Sequence, residues 1–352
     1  MFRSPLRRRL GVVAAAAAVV ALSLSACSTS STSSSGSSAG SSGSSSSVDA
    51  SAFPVTIKSA LGSATIPAEP KRVVTLGWGS ADTVVALGTT PVGIENVTWG
   101  GDSHGDYPWV TSAIEKKGDA LPATFNVYPD IDVSAIAALT PDVIIAPQSG
   151  LTAAQFTTLS ALAPTVAFPD KEWGTPWDEQ IAIIGKALGK STKAASLVTS
   201  LKDKLAATAA ANPSFSELTF SYVYTAEPGS LSIYQKGDPR VDIISGLGLK
   251  EDKTTSALPL TAGTFVSTVG LEKANVLDKT DVLFTWFNDE ANEKEIEAQP
   301  LFAQIPAVER GSYVANVDQQ LATASTVITP LSLPYALDRY VGMIKAAAAK
   351  VG

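Results

Sequence analysis

Short apolar runs alternate with segments of helical hydrophobic spacing over most of the 352-residue chain, and this alternation restricts the fold more than any other feature. Runs rich in valine and isoleucine, bounded by glycine, proline or polar residues, are typical of buried strands. In the first half, the predicted strands are 72–77, 91–94, 142–146 and 165–168, and the predicted helices are 80–87, 133–139 and 152–162. Strands that alternate with helices form parallel β-α-β units, so the sequence predicts a sheet that is covered on both faces.

A longer helical pattern lies between residues 176 and 212. A proline opens it, Asn212-Pro213 closes it, and its glycines are Gly185 and Gly189. A continuous helix of this length would extend roughly 50 Å at 1.5 Å per residue, which is too long for one small lobe. We therefore expect a spine that joins two lobes, or two shorter helices broken near Gly189.

The alternation resumes after this segment. The predicted strands are then 218–224, 281–286 and 312–315, and the predicted helices are 241–247, 271–277 and 333–349. The second half of the chain therefore repeats the alternation of strands and helices seen in the first half. The sequence predicts an α/β fold with two Rossmann-like lobes, at 53–175 and 213–352, whose central parallel-type sheets are joined by one long backbone α-helix at 176–212.

The start of the chain has the composition of an export signal. Arg3 and three further arginines precede an apolar run at 10–22, which is too short to span a bilayer. The end of this segment, Leu24-Ser25-Ala26-Cys27, resembles the lipobox of bacterial lipoproteins, in which the cysteine is acylated and becomes the first mature residue. We therefore expect a signal peptide at 1–26 and lipidation, such as by palmitate, at Cys27. An ordinary secretory signal is the alternative.

The segment after Cys27 is typical of a tether. Residues 28–47 are all Ser, Thr, Gly or Ala, so nothing in them can form a packed core. Twenty such residues have a mean reach of roughly 25 Å. We expect 27–52 to hold a folded body at the extracytoplasmic face of the cell membrane through the lipid anchor.

The charged and metal-binding residues exclude several functions. The chain has 33 acidic and 26 basic residues and a net charge of −7, and four of its arginines lie in the leader, so nucleic acid is not an expected partner. One histidine, His104, and one cysteine are too few for a bare zinc or manganese site. We expect a monomer with no intrinsic cofactor.

Asp102, Ser103 and His104 supply the residue types of a hydrolytic triad. Side chains this close in sequence rarely converge on one another, and the chain has no Gly-x-Ser-x-Gly elbow that could hold a nucleophile. A cell-envelope hydrolase is therefore a remote alternative, and we expect no enzymatic activity.

Seven segments carry a resemblance to a known family: 73–94, 101–110, 136–145, 162–167, 173–178, 184–189 and 269–272. In order and spacing they look like the helical-backbone solute-binding proteins of iron-siderophore and cobalamin ABC importers, and 101–110 and 173–178 look most like the siderophore branch. The resemblance covers nearly everything from Val55 onward. It implies a two-lobed receptor with a ligand cleft between the lobes, little hinge motion, and delivery of the ligand to an ABC permease and its ATPase in the membrane.

The resemblance implies a ferric siderophore as ligand, with haem or cobalamin as alternatives. A siderophore already fills the coordination shell of iron(III), so the metal is carried only as the complex, and the receptor needs aromatic walls and a few donors. Ligands of α/β lobes gather at the carboxyl ends of strands. The candidate ligand-binding residues near such ends are Trp78, Trp99, Tyr107, Trp109, Tyr222, Tyr224, Tyr234, Arg240, Trp286 and Phe287.

The scarcity of arginine favours one class of siderophore. Beyond the leader the arginines are Arg72, Arg240, Arg310 and Arg339. A cluster that could neutralise a tri-anionic tris-catecholate is hard to assemble from so few, whereas Arg240 alone could contact hydroxamate oxygens bidentately. We therefore expect a neutral or cationic hydroxamate complex.

In the family, an acidic residue on each lobe docks to arginines of the permease, and the resemblance assigns this role to Glu272 in the C-lobe. The N-lobe counterpart falls at Ser134, where the family usually has glutamate. Asp130 or Asp132 could replace it from nearby, and we take Asp132 as the docking candidate. For Glu272, a purely structural carboxylate in the first turn of a helix is the alternative.

Overall fold

The computed structural model describes residues 48–225, 228–262 and 264–352. The predicted signal peptide, Cys27 and the tether as far as residue 47 therefore lie outside the described residues. None of the helices within the described ranges has the length and apolar character needed to cross a bilayer.

The N-lobe is built around a five-stranded parallel sheet in the order β5-β4-β3-β6-β7. Its strands are β1 (Val55–Ser59), β2 (Gly62–Ile66), β3 (Val73–Thr75), β4 (Gly93–Glu95), β5 (Ala123–Phe125), β6 (Val143–Ile145) and β7 (Thr165–Val166), and its helices are α1 (Ser80–Ala86), α2 (Pro108–Lys117), α3 (Val133–Ala138) and α4 (Ala153–Ser160). The first two strands form a separate antiparallel hairpin. The strand order reverses between β3 and β6, and this switch point is where an open α/β sheet leaves a crevice at its carboxyl edge.

The segment 176–212 contains two helices, α5 (Trp177–Ala187) and α6 (Ser191–Ala210), so the predicted single helix is wrong and the alternative break near Gly189 is present. Gly189 has a φ of 67°, and the amides of Gly189 and Lys190 return to the carbonyls of Lys186 and Gly185. This pattern ends a helix with glycine in the left-handed region, which a residue with a side chain adopts only at a cost.

The two helices lie antiparallel, and α6 is the helix that bridges the lobes. The Asp178 carboxylate, at the start of α5, pairs with the Lys202 ammonium in α6 at 2.8 Å. The first of the two helices packs on α1 and β1 of the N-lobe. Farther along α6, Leu205 lies beside Gly246, at the end of the C-lobe helix α7 (Pro239–Gly246). The long backbone helix is therefore 191–210, and it begins later than the sequence predicted.

The C-lobe has a six-stranded sheet in the order β11-β9-β8-β12-β13, with β10 beside β8. Its strands are β8 (Thr219–Tyr224), β9 (Ser230–Tyr234), β10 (Lys250–Glu251), β11 (Val266–Gly270), β12 (Val282–Trp286) and β13 (Tyr313–Asn316). Its helices are α7 (Pro239–Gly246), α8 (Lys253–Ser256), α9 (Glu290–Glu297), α10 (Pro300–Ala303), α11 (Pro306–Glu309), α12 (Gln319–Thr326) and α13 (Ser332–Ala348), with 3-10 helices at Pro213–Glu217 and Leu271–Leu277.

This second sheet is mixed rather than a copy of the first. The pairs β8 with β12, β12 with β13 and β10 with β8 are parallel, whereas β9 runs antiparallel to both β8 and β11. The connection between β8 and β9 is too short for a crossover helix, so only an antiparallel hairpin can form there. One cluster of buried apolar side chains runs from Val73 in the N-lobe through Leu201 in α6 to Phe284 in the C-lobe, so the lobes share a core.

Candidate functional site

A cleft of about 290 Å³ lies between the lobes, where the carboxyl ends of β3, β4 and β12 meet. Ligands of α/β folds bind at this edge of the sheet. The N-lobe lines the cleft with Trp78, Asn96, Trp99, Tyr107 and Tyr128. The C-lobe lines it with Arg240, Trp286, Thr323 and Thr326.

Trp78 is held at the cleft by a rigid turn that follows β3. Its flanking residues Gly77 and Gly79 have φ values of 78° and 74°, and a Cβ atom on Gly77 would meet the Gln148 carbonyl oxygen at 2.2 Å. Only glycine fits such a turn without strain. The Trp78 amide also donates to the Gln148 carbonyl at 3.0 Å, which joins the ends of β3 and β6.

Trp173 packs beside Trp78 and is not among the ligand-binding residues predicted from the sequence. Its ring lies 4.9 Å from that of Trp78 and is 36% exposed, and its backbone φ is 54°. The Gln148 side-chain amide donates to the Trp173 carbonyl at 3.1 Å, and the indole lies over Gly150, where a Cβ atom would meet it at 2.5 Å. Trp173 follows β7, so the rule that selected Trp78 could have found it. Tyr128, 88% exposed, follows β5 and was missed in the same way.

Arg240 brings the positive charge on the C-lobe side. Its Nε and Nη2 atoms donate to the two carboxylate oxygens of Asp238, each at 2.8 Å, and its guanidinium lies 3.7 Å above the ring of Tyr234. The Phe265 ring lies farther away, at 5.9 Å from the guanidinium. Burial disfavours the charged form, but the Asp238 carboxylate and Tyr234 outweigh this and hold the pKa of Arg240 above its usual value. The guanidinium therefore stays charged and fixed, with Nη1 making no hydrogen bond to the described residues.

Two stacked rings complete the C-lobe wall. Tyr224 and Trp286 end neighbouring strands and stack at 4.2 Å with an angle of 4° between their rings. The Trp99 ring meets Trp286 edge-on at 5.2 Å, so aromatic side chains from both lobes touch across the cleft. The neighbouring amide of Gly100 donates to the Gln319 side chain at 3.3 Å. Trp99 of the N-lobe and Tyr224 and Trp286 of the C-lobe, all predicted to bind the ligand, therefore lie close together.

Four predicted ligand residues are buried and do not line the cleft. Tyr222 lies deeper in β8 than Tyr224 and bonds to the Tyr340 hydroxyl at 3.2 Å, and Phe287 points to the opposite face from Trp286, into the C-lobe core. Trp109 stacks beneath Tyr107 at 4.8 Å. The fourth, Tyr234, is 7% exposed and supports Arg240 from below.

The charge of the cleft is close to neutral. Arg240 and Glu95 are the charged residues among its lining side chains. The Gly77 amide donates to Glu95 Oε2 at 2.8 Å, but burial dominates and raises the pKa of Glu95. Because Asp238 already pairs with Arg240, the described residues leave no surplus of positive charge in the cleft.

The described part of the chain shows neither a hydrolytic triad nor a metal centre. His104 Nε2 bonds to the Pro122 carbonyl at 2.9 Å, and Asp102 accepts from the backbone amide of His104 at 2.8 Å, so these residues build a loop. Among residues 48–225, 228–262 and 264–352, no group of three or more His, Cys, Asp and Glu side chains is placed to hold a metal ion.

The predicted docking carboxylates are all at the surface. Glu272 lies in the first turn of the 3-10 helix at Leu271–Leu277 and is exposed. Asp132 is exposed and caps α3 by accepting from the Ala135 amide at 2.9 Å, while Asp130 and Ser134 are exposed beside it.

Comparisons with known proteins agree with this architecture. A sequence profile described as periplasmic binding protein matches residues 73–319. The Fe(3+) dicitrate-binding periplasmic protein FecB of Escherichia coli K12 is 24% identical over 272 residues, which are 77% of this chain and 84% of FecB. The probable siderophore-binding lipoprotein YfiY of Bacillus subtilis 168 is 32% identical over 161 residues, which are 43% of this chain and 45% of YfiY.

Among solved structures, PiaA of Streptococcus pneumoniae TIGR4 in complex with ferrichrome superposes with a TM-score of 0.77 and 27% sequence identity. The superposition covers 85% of this chain and 100% of PiaA. The similarity therefore includes both lobes and the cleft between them.

Proposed function

Because the chain belongs to the periplasmic binding protein family, we propose that it is the extracytoplasmic receptor of an ABC importer and that its cleft captures a ferric siderophore. The observation that carries this proposal is a cleft walled by aromatic rings from both lobes, with one fixed arginine in its lining. Such a site suits a bulky, partly apolar ligand that needs shape and a few donors. The relatives named above are binding proteins, which supports a role without catalysis.

The metal in this proposal is cargo inside its chelator. The described residues hold no cluster suited to bare iron, and aromatic faces do not ligate iron(III). The siderophore supplies the oxygen ligands, and the protein binds the outside of the complex. The named ligands of FecB and PiaA, ferric dicitrate and ferrichrome, support this reading.

Charge favours a hydroxamate complex over a catecholate. Outside the leader, Arg72 bonds to the Leu139 carbonyl, Arg310 bonds to the Thr280 and Asp281 carbonyls, and Arg339 pairs with Asp318. Arg240 is thus the arginine that lines the cleft, and its charge is balanced by Asp238. The negative charge of a tri-anionic tris-catecholate would be uncompensated in the cleft. A neutral ferric hydroxamate loses less hydration free energy when it enters the cleft.

We propose that Cys27 is lipidated and that the serine-rich segment tethers the receptor to the membrane. A reach of roughly 25 Å keeps the body near a permease while leaving it free to turn. The name of YfiY, a lipoprotein, supports this anchoring. In this arrangement Glu272 and Asp132 dock the C-lobe and the N-lobe on the permease through charge pairs.

A ligand panel tests the proposed function. Tryptophan fluorescence of the full chain is recorded during titration with ferrichrome, a ferric tris-catecholate, ferric citrate, haem and cobalamin. Trp78 and Trp286 line the cleft, so a bound iron complex quenches them, and we expect saturable quenching with ferrichrome and little with the catecholate. Quenching by haem or cobalamin alone would contradict the siderophore assignment, and quenching by the catecholate alone would contradict the hydroxamate assignment.

A further inference from the structure

A second, much smaller cavity lies behind the ligand cleft. Its volume is about 20 Å³, enough for about one water molecule. Three carboxylates line it, from α1, from the end of β4 and from the loop before α2: Asp82, Glu95 and Asp106. We call this space the acid cavity.

Asp106 is the anomalous member of this group. Its side chain is 2% exposed, and its Oδ1 atom accepts from the Tyr107 amide at 2.7 Å. The other oxygen, Oδ2, is buried and has no hydrogen-bond partner among the described residues. An ionised carboxylate with an unpartnered buried oxygen is costly, whereas a protonated one presents a donor to a water molecule in the cavity.

Asp82 has the opposite environment, because it accepts four hydrogen bonds. Trp109 Nε1 donates to it at 2.9 Å, and the amides of Leu331 and Ser332 each donate at 3.1 Å. The Thr329 hydroxyl is the fourth donor. The last three donors precede or begin α13, so Asp82 ties this C-lobe segment to the N-lobe. Four donors favour the ionised form of this carboxylate over its neutral form.

The acid cavity and the ligand cleft share a wall. Glu95, Val97 and Tyr107 line both spaces. Tyr107 also stacks on Trp109, the indole that donates to Asp82. A change of charge in the acid cavity therefore acts on the contact between the lobes and on a side chain of the cleft.

The ionisable groups around the cavity are almost all acidic. Burial raises the pKa of Asp82, although its four hydrogen-bond donors oppose the rise. Burial raises the pKa of Asp106 to about 7, and the negative charges of Asp102, Asp82 and Glu95 raise it further, so the shared proton is held on Asp106. Burial raises the pKa of Glu95 and of Tyr107. The imidazole of His104, on the same loop, lies near Asp102. The segment 329–332 brings no ionisable side chain, and Arg240 across the cleft is paired with Asp238.

We propose that the acid cavity is a proton-binding site in which Asp106 holds a proton towards one water molecule, Asp82 carries the negative charge, and loss of the proton loosens the contact between the lobes. The raised pKa of Asp106 means that the folded state holds a proton that the unfolded chain has lost. Stability from this group is therefore full below about pH 4 and is lost as the pH rises through about 7.

Thermal unfolding of the ligand-free full chain tests this. For the wild type we expect the midpoint to fall by about 5 °C between pH 5 and pH 8. The Asp106→Asn substitution keeps the shape of the side chain, but the amide cannot ionise. The midpoint of this variant should therefore fall by at most about half as much as that of the wild type between pH 5 and pH 8. Asp203→Asn, an exposed position on α6, is the matched control and should keep the wild-type fall.

Two outcomes overturn the proposal. If Asp106→Asn shows the same fall as the wild type, or if Asp106→Asn does not fold and Glu95→Gln, which removes a charge that raises the pKa of Asp106, shows the same fall, no proton is held in the cavity. If NaCl or CaCl₂ raises the midpoint of the wild type at pH 8 but not that of Asp106→Asn, the cavity binds a cation in place of a proton. The second variant guards against the case in which Asp106→Asn fails to fold.

A local measurement tests the link to the lobes. Hydrogen exchange at the amides of Leu331 and Ser332, corrected for the intrinsic rate, should speed up several-fold from pH 5 to pH 8 in the wild type and stay level in Asp106→Asn. Equal exchange in both proteins would show that the acid cavity does not affect the contact between the lobes.

An effect on ligand affinity rests on the proposed function: ferrichrome should bind more weakly at pH 8 than at pH 6. A failure of ferrichrome to bind at either pH counts against that function and leaves the ligand-free results standing.

Discussion

At the scale of single residues, Arg240 sets the charge and the geometry of the cleft. Asp238 fixes it with two hydrogen bonds, and the guanidinium lies over the ring of Tyr234, with the ring of Phe265 nearby. A planar cation that is fixed in this way loses little entropy when it binds planar oxygen ligands. In the proposed complex, its remaining donors contact the hydroxamate oxygens.

We predict that Arg240→Gln weakens ferrichrome binding by about 10- to 100-fold, because charge-assisted hydrogen bonds are lost from a buried site. Fluorescence titration measures the change. Arg339→Gln, which removes an exposed arginine paired with Asp318, is the control and should bind normally. Removing Arg240 leaves Asp238 unpaired, so the double variant Asp238→Asn/Arg240→Gln restores neutrality; unchanged affinity in that double variant would show that the arginine does not contact the ligand.

The aromatic side chains show how far sequence can locate a site. Trp78, Trp99 and Trp286, which were selected by the rule that ligands bind at strand ends, line the cleft, since this rule depends only on where strands stop. It could not separate Tyr222 from Tyr224, because two residues on one strand face differ only in how deeply the opposite layer covers them. That cover comes from Tyr340 in α13, over a hundred residues away.

At the scale of elements, glycine decides how α5 and α6 meet. Gly185 lies against Ala194, and a Cβ atom added there would come within 2.3 Å of the alanine Cβ. The helices can pack this closely only because one of them lacks a side chain at the contact. Sequence spacing predicted helical structure through 176–212 but not this contact, because the pattern of apolar residues continues through the break at Gly189.

We predict that Gly185→Ala destabilises the protein by about 1–3 kcal/mol, because the added methyl forces α5 and α6 apart. Gly342→Ala is the matched substitution in the middle of α13, where a Cβ atom would meet nothing within 4 Å. It should stabilise by about 0.5–1 kcal/mol, since alanine is the better helix former. Denaturant unfolding measures both, and a stabilising Gly185→Ala would contradict the close packing of the two helices.

At the scale of the whole molecule, α6, the Asp82 contact and the rings of Trp99 and Trp286 connect the lobes at separate points. Two lobes that are connected at several separate points are suited to a receptor with little hinge motion. The parallel strands β3, β4, β6 and β7 of the N-lobe and β8, β12 and β13 of the C-lobe could be predicted from the alternation in the sequence, whereas the short parallel strands β5 and β10 and the helices α2 and α8 to α12 were not predicted. The antiparallel part of the C-lobe sheet could not, because β9 is a short hairpin partner without a helix to mark it.

Docking on a permease predicts a specific transport defect. Glu272→Gln should lower siderophore-dependent iron uptake by about tenfold while ferrichrome binding stays normal, because a charge pair with the permease is lost. In the N-lobe, Asp132→Ser removes the charge but keeps a residue able to cap α3. If the double variant Glu272→Gln/Asp132→Ser shows normal uptake, neither residue docks on the permease.

Anchoring makes a prediction at the same scale. Cys27→Ser removes the only thiol in the chain, so the protein should leave the membrane fraction and lose palmitate labelling, with its ligand affinity unchanged. Membrane fractionation and metabolic labelling measure this. A variant that stays in the membrane fraction would contradict lipidation at this cysteine.

Isothermal titration of ferrichrome into the full chain tests the central claim most directly. The cleft geometry predicts one site per chain and a dissociation constant of about 1 μM or tighter, with heat that is lost in Arg240→Gln and kept in Arg339→Gln. If ferrichrome and other ferric hydroxamates give no binding heat while the protein is folded, the assignment of the cleft to a ferric siderophore of this class is contradicted.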